Sequence, residues 1–242
     1  MGKREFFAGK EQIHVKAKPG EIAEKAILCG DPGRVKWIAE EKLEKSKLVS
    51  SNRGLLVYTG EYKGEPITVA TTGMGCPSAA IVLEELVNLG VKSVVRVGTC
   101  GALQTWIDVA DVVVATGAVP LDGTTKRYIQ EEYAPVPDFH LTRLIVDELK
   151  DVKVHVGLIV TSDAFYEEDE KFVKKWAGRG VLAVEMESSI IFTISLLRGV
   201  KAASVLVVNG NLARREYVVG NDEVARSMDV VVNAVLNVLA GI

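Results

Sequence analysis

Arg96 interrupts an otherwise apolar run, Val94-Val95-Arg96-Val97, and stands directly before Gly98-Thr99-Cys100-Gly101. A charge inside a buried strand is costly unless it is paired. Two readings are open. One is a structural salt bridge; the other, which we favour, is an anion ligand at a strand end with the Thr99 hydroxyl beside it. Gly30-Asp31-Pro32-Gly33-Arg34 offers related chemistry. Glycines between a strand and a helix can present backbone N–H groups to an anion, and Arg34 adds a planar cationic fork. A tight turn with a solvated arginine is the competing reading. Val184-Glu185-Met186-Glu187-Ser188 brings two acids to the head of an apolar stretch. The dipole of a helix starting there accounts for one of them. Glu187 leads straight into Ile190-Ile191-Phe192 and is expected to be partly buried, where a carboxylate suits two sugar hydroxyls. Spacing alone leaves a glycosidase acid/base pair open.

These residues need a scaffold, and short apolar runs alternating with longer amphipathic ones supply it. Strands are predicted over residues 26–29, 92–97, 111–119, 153–161, 181–184 and 202–208, with a hairpin over 55–62 and 66–72. Helices are predicted over 34–42, 77–89, 139–149, 169–177, 187–197 and 221–239. The alternation runs without a composition break, so residues 1–242 read as one α/β domain: three layers, with a mixed central sheet between helices. Ligands in such folds sit where strands end and loops begin. The glycine-containing strand ends are 30–34, 73–78 and 98–101.

Composition removes several classes. The 242 residues are 48% hydrophobic with a net charge of −3, and no long Lys/Arg run marks a nucleic-acid binder. Cys29, Cys76 and Cys100 show no CxxC spacing, so neither a metal site nor a disulfide framework is expected. Residues 1–18 are charged and read as no signal peptide, and no 18-residue apolar run calls for a membrane span. The expected setting is the cytoplasm. Gly73-Met74-Gly75-Cys76-Pro77-Ser78 is close to a dinucleotide fingerprint, but the required acid about 20 residues on is replaced by Val94-Val95-Arg96-Val97. No nucleophile elbow, phosphate-binding P-loop or HExxH is present.

Taken together the motifs resemble the nucleoside phosphorylase superfamily, in its hexameric purine nucleoside and uridine phosphorylase branch. The order is His14, Gly-Asp-Pro-Gly-Arg at 30–34, Asn-Arg-Gly at 52–54, Tyr-Thr-Gly at 58–60, Gly-Met-Gly-Cys-Pro-Ser at 73–78, Arg-Val-Gly-Thr-Cys-Gly at 96–101, Ser-Asp-Ala-Phe-Tyr at 162–166 and Val-Glu-Met-Glu at 184–187. The likeness is strongest to archaeal purine nucleoside and methylthioadenosine phosphorylases. It implies a reaction in which inorganic phosphate, with no cofactor, cleaves a nucleoside to free base and ribose 1-phosphate. By position it implies phosphate binding by Gly30, Arg34, Arg96 and Thr99, with Arg53 reaching in from a neighbouring subunit. Met186 and Glu187 would hold the ribose, covered by a neighbour's His14, and Arg96 and Glu187 would carry the catalysis. Cys100, Gly101, Phe165, Val184, Glu185, Asn209 and Gly210 would surround the base. The shared sites imply a homo-oligomer, a trimer of dimers.

At the base the chain departs from the resemblance. Purine enzymes of this branch carry a Ser-Asp pair after the strand at 202–208, whereas this chain reads Asn209-Gly210, with Asn209, Asn211 and nearby Arg214 as candidate substitutes. Pyrimidine enzymes carry Gln and Arg shortly after the Phe-Tyr pair, where Asp169 and Lys171 stand. Purine nucleosides are the expected substrate and uridine the alternative. A nucleosidase, which would have no use for Arg34, Arg53 and Arg96, and a non-catalytic nucleoside binder are the further alternatives.

Overall fold

A computed structural model describes residues 6–217 and 220–242. Its strands are β1 (Lys25–Cys29), β2 (Glu44–Ser50), β3 (Val57–Tyr62), β4 (Glu65–Thr71), β5 (Ser93–Ala102), β6 (Val112–Pro120), β7 (Val154–Thr161), β8 (Ala183–Glu185), β9 (Lys201–Asn211) and β10 (Glu216–Tyr217). The helices are α1 (Pro32–Glu41), α2 (Cys76–Asn88), α3 (Gly123–Tyr128), α4 (Phe139–Glu148), α5 (Glu170–Ala177), α6 (Ser188–Arg198) and α7 (Asp222–Gly241). The strands form one mixed sheet in the order β10-β9-β6-β7-β8-β5-β1-β4-β3-β2.

Side chains alternate across the strands, so each face takes its own helices. Ala26, Leu28 and Val94 pack with Leu83 and Leu86 of α2 and Ile190, Ile191 and Phe192 of α6. Ile27, Val69 and Val95 pack with Ile38 of α1, Ile145 of α4 and Val231 and Val235 of α7. With both faces covered, the strands read as continuous apolar runs. By length and composition α7 could cross a membrane, with a mean hydropathy of 1.3. Here its apolar side is spent on the sheet, with Val231, Val232, Val235, Leu236 and Leu239 fully buried.

The sheet is also more closed than the sequence suggests. β5 pairs with β1 only from Ser93 to Arg96, and at Gly101 and Ala102 it has changed partner to β8. Its other edge runs parallel to β9, which itself pairs with β6. β5, β9, β6, β7 and β8 therefore form a ring, and a fork opens where β1 and β5 part company. The predicted strand at 92–97 continues to Ala102 because hydrogen bonds to β9 persist through its glycines. β2 and α3 were not predicted. β2 is a charged edge strand paired only with β3, the pattern that hides an edge from an apolar search. α3 is a short polar helix capped by Asp122, whose Oδ1 accepts from Thr125 N at 2.6 Å.

Candidate active site

The fork holds Arg96, only 4% exposed. Gly98, two residues on and on the same face of β5, is required: an added Cβ would stand 3.0 Å from the Arg96 Cζ. The guanidinium thus folds back along its own strand. Its Nε donates to Glu185 Oε2 at 2.9 Å, and an Nη2 lies 2.5 Å from Glu187 Oε2. Its Nη1 is buried and has no hydrogen-bond partner among the described residues. The salt-bridge reading of Arg96 is therefore met, and one donor is left unused. Burial alone would lower its pKa, but the two carboxylates outweigh that and raise it.

Glu185 ends β8 and anchors this network. Its Oε1 accepts from Thr161 Oγ1 at 2.5 Å, and its carboxylate takes the N–H groups of Glu187 and Ser188 at 2.9 Å. Glu187 occupies the N-cap position of α6 without capping it by its own side chain. The Glu185 carboxylate does that work, a favourable place for negative charge. This frees the Glu187 side chain for the fork, where Gly75 N donates to its Oε1 at 2.6 Å. Gly75 has φ +89, so a glycine is needed to aim that N–H. Burial pushes the Glu187 carboxyl above the usual range; Arg96 pulls it down and Glu185 pushes it further up.

The other predicted residues fall into three groups. Gly30 and Arg34 lie at the fork: Arg34 Nη1 donates to Val97 O at 3.2 Å, and the Asp31 carboxylate caps α1 by accepting from Gly33 N at 2.8 Å. Thr99 is half-buried beside them, and Met186 is half-buried next to Glu187. His14 and Arg53 form a second group, linked through Asn52. Asn52 Nδ2 donates to His14 O at 2.8 Å, and His14 Nδ1 lies 2.6 Å from Glu85 Oε1 on α2. Arg53 is exposed with φ +57. The third group surrounds the far end of β5. Gly101 pairs with Val184 across β8 and with Gly210 across β9. Phe165 is 58% exposed. Cys100, by contrast, points its thiol into the core, and Glu185 contributes its carboxylate to Arg96 and α6. The three buried thiols stay protonated; burial lifts Cys29 to about 11 and raises Cys76 and Cys100.

One of the suggested substitutes at the base is ruled out. Asn211 is fully buried, its Nδ2 donating to Gln104 O and Ile107 O and its Oδ1 accepting from Arg214 N. Arg214 holds Asp108 and Glu216 at 2.8 Å through Nη1 and Nη2, and its Nε is buried with no partner among the described residues. Asn209 is the extra residue of a bulge between the Cys100 and Gly101 pairings, and it is exposed. Gly210 has no room for a side chain, since a Cβ would meet Glu216 O at 2.9 Å. The sequence reading quoted Gly75 only within its motif, and it missed Thr161 and the Glu185 carboxylate. The paired glycines before Pro77 were the available signal for Gly75, and nothing local marked Thr161.

Comparisons with known proteins agree on this architecture. The family model described as the phosphorylase superfamily matches residues 24–242. A guanosine phosphorylase of Halorubrum lacusprofundi is 44% identical over 221 residues, covering 90% of this chain and 89% of that protein. A DeoD-type purine nucleoside phosphorylase of Caldanaerobacter subterraneus subsp. tengcongensis is 40% identical, covering 90% and 96%. Among solved structures, a uridine phosphorylase from Vibrio fischeri ES114 superposes with a TM-score of 0.91 at 33% identity, covering 96% of this chain and 98% of that one.

Proposed function

Because the chain belongs to the phosphorylase superfamily, we propose that it is a nucleoside phosphorylase that transfers the ribosyl group of a purine nucleoside to inorganic phosphate. The observation that carries this is the Arg96 guanidinium: two carboxylates fix it in place, and its Nη1 is left buried and unpartnered. A buried donor without a partner is costly, and a phosphate oxygen would satisfy it with a charge-assisted bond. Gly30, Arg34 and Thr99 complete the phosphate side, with Arg53 of a neighbouring copy.

Glu187 then takes the ribose 2′ and 3′ hydroxyls, Met186 lies along the sugar, and His14 of the neighbouring copy covers the 5′ side. Phosphate attacks the anomeric carbon as the base departs. Its negative charge lies against the positive charge that develops on the sugar, so catalysis is chiefly positioning and electrostatics. No cofactor takes part. The sites assigned to His14 and Arg53 call for an oligomer, and a trimer of dimers in the cytoplasm fits the reading.

Purine specificity rests on the sequence relatives: the guanosine and purine nucleoside phosphorylases match at 44% and 40% identity, the uridine phosphorylase structure at 33%. Phosphorolysis of inosine, guanosine, adenosine, methylthioadenosine and uridine, followed by ultraviolet absorbance, tests it. Turnover of uridine alone would overturn the purine assignment. Equal rates without phosphate would make the protein a nucleosidase.

A further inference from the structure

A purine leaves more readily if a proton reaches it as the glycosidic bond breaks. Gly210 offers no side chain for that transfer, Asn211 is committed elsewhere, and the Arg214 guanidinium does not give up a proton near neutral pH. The carboxyls of this corner are mostly engaged too. Asp169 caps α5 by accepting from Phe172 N at 2.8 Å, Glu170 pairs with Lys174 at 2.6 Å and Arg215 at 3.1 Å, and Asp163 accepts from Gly123 N at 2.9 Å. Glu168 differs. It is half-buried three residues after Phe165 and has no cation partner among the described residues. It lines a cavity of about 410 Å³ with Leu103, Leu212 and Tyr217.

That cavity adjoins the base end of the site. Leu212 lies over Gly101, where an added Cβ would come within 2.2 Å of its Cδ1. The Ser162 hydroxyl is close enough to Glu168 to favour its charged form, and Ser162 N donates to Glu185 O at 2.9 Å. Glu168 therefore stands between Ser162, which is bonded to the backbone of Glu185, and the wall formed by the β9–β10 turn.

We propose that Glu168 is the proton donor to the departing purine, in place of a side chain at Gly210; this rests on the phosphorylase reading. The carbon–nitrogen bond to the anomeric carbon breaks with its electron pair moving into the purine. A phosphate oxygen forms the new bond to that carbon, and the Glu168 proton passes to the ring nitrogen. The proton released by monohydrogen phosphate, relayed by solvent, restores the carboxyl. Burial raises Glu168 to about 7, opposed only by the Ser162 hydroxyl, so about half of the molecules carry the proton at neutral pH. The other titratable groups around the cavity are Asp169, Glu170, Lys174, Arg215 and Tyr217, and Glu170 already pairs with both cations.

The test compares inosine with 7-methylinosine, whose alkylated ring nitrogen needs no proton, for the wild-type protein and Glu168→Gln at one pH. The substitution should lower kcat for inosine about a hundredfold, and kcat for 7-methylinosine by less than about threefold. The wild-type kcat for inosine should fall above about pH 7, and the variant should lose that limb. Equal losses on both substrates, or a limb that survives the substitution, would overturn the proposal while leaving the phosphorylase reading intact. Should Glu168→Gln fail to fold, the wild-type inosine profile decides, and a flat profile through pH 7 overturns the proposal. If the wild-type protein releases no base from any nucleoside in phosphate, both the proposal and the reading fall.

Discussion

The two ends of the crevice are built differently. At the fork, Arg96, Glu185 and Glu187 are each less than 5% exposed and bound to one another, to Thr161, to Gly75 and to the head of α6. At the other end Phe165 is 58% exposed and Tyr217 73% exposed, on a short turn and a two-residue strand. The rigid end holds the groups assigned to phosphate and ribose, which every substrate of the reaction shares. In the proposed function the open end would meet the base, the part that varies. A charged network in the core resists change because removing any member strands the others, whereas loop residues can be exchanged one by one.

The comparison breaks most visibly at Arg96. Arg96→Ala leaves two buried carboxylates without their cation and should cost about 3–5 kcal/mol of stability. Thermal unfolding reads that loss, and the Michaelis constant for phosphate of the folded fraction should rise steeply. An unchanged phosphate constant would detach the anion role from this residue. Glu187→Ala should act on the chemistry more than on the fold, since Arg96 keeps Glu185. We expect kcat to fall about a hundredfold, with a smaller drop in melting temperature than for Arg96→Ala. Normal activity per folded molecule with a collapsed melting temperature would make Glu187 a structural residue.

Effects at the open end should be smaller and confined there. Gly210→Ala places a methyl 2.9 Å from Glu216 O, so β10 must shift at a cost of roughly 1–3 kcal/mol. The Michaelis constant for the nucleoside should change and that for phosphate should not; a change in both would mean that the two ends are coupled. A further effect is the pH dependence of stability at Glu168. Its folded-state pKa, about 7, lies above the unfolded value of 4.5. The stability contributed by the protonated form is full below the unfolded value and is lost as pH rises through about 7. Glu168→Gln should therefore raise the melting temperature slightly at about pH 8 and leave it unchanged at about pH 4. A rise of the same size at both pH values would show that the carboxyl does not titrate as argued.

The same division explains what the sequence revealed. Arg96 was conspicuous because a charge in an apolar strand violates a strong rule, and the Gly-Asp-Pro-Gly turn announced itself through backbone chemistry. The alternation of strands and helices was clear because apolar residues repeat with the periods of two and 3.6 that each element imposes. What stayed hidden depends on partners distant in the chain. Nothing near Glu185 tells that its carboxylate will meet Arg96 and Thr161, or that β5 will leave β1 for β8. β2 was hidden because a charged edge strand carries no apolar period. Glu168 was hidden because its environment comes from Ser162 and the β9–β10 turn, and its own neighbours, Glu167, Asp169 and Glu170, read as a solvated acidic run.

The central claim is that an arginine-held phosphate cleaves a nucleoside at the rigid end of this crevice. The most direct test is ultraviolet-monitored release of base from a mixed panel of purine and pyrimidine nucleosides, with and without phosphate. The account predicts release from purine nucleosides that depends on phosphate and yields ribose 1-phosphate. Release that proceeds equally without phosphate, or no release from any nucleoside, would contradict it.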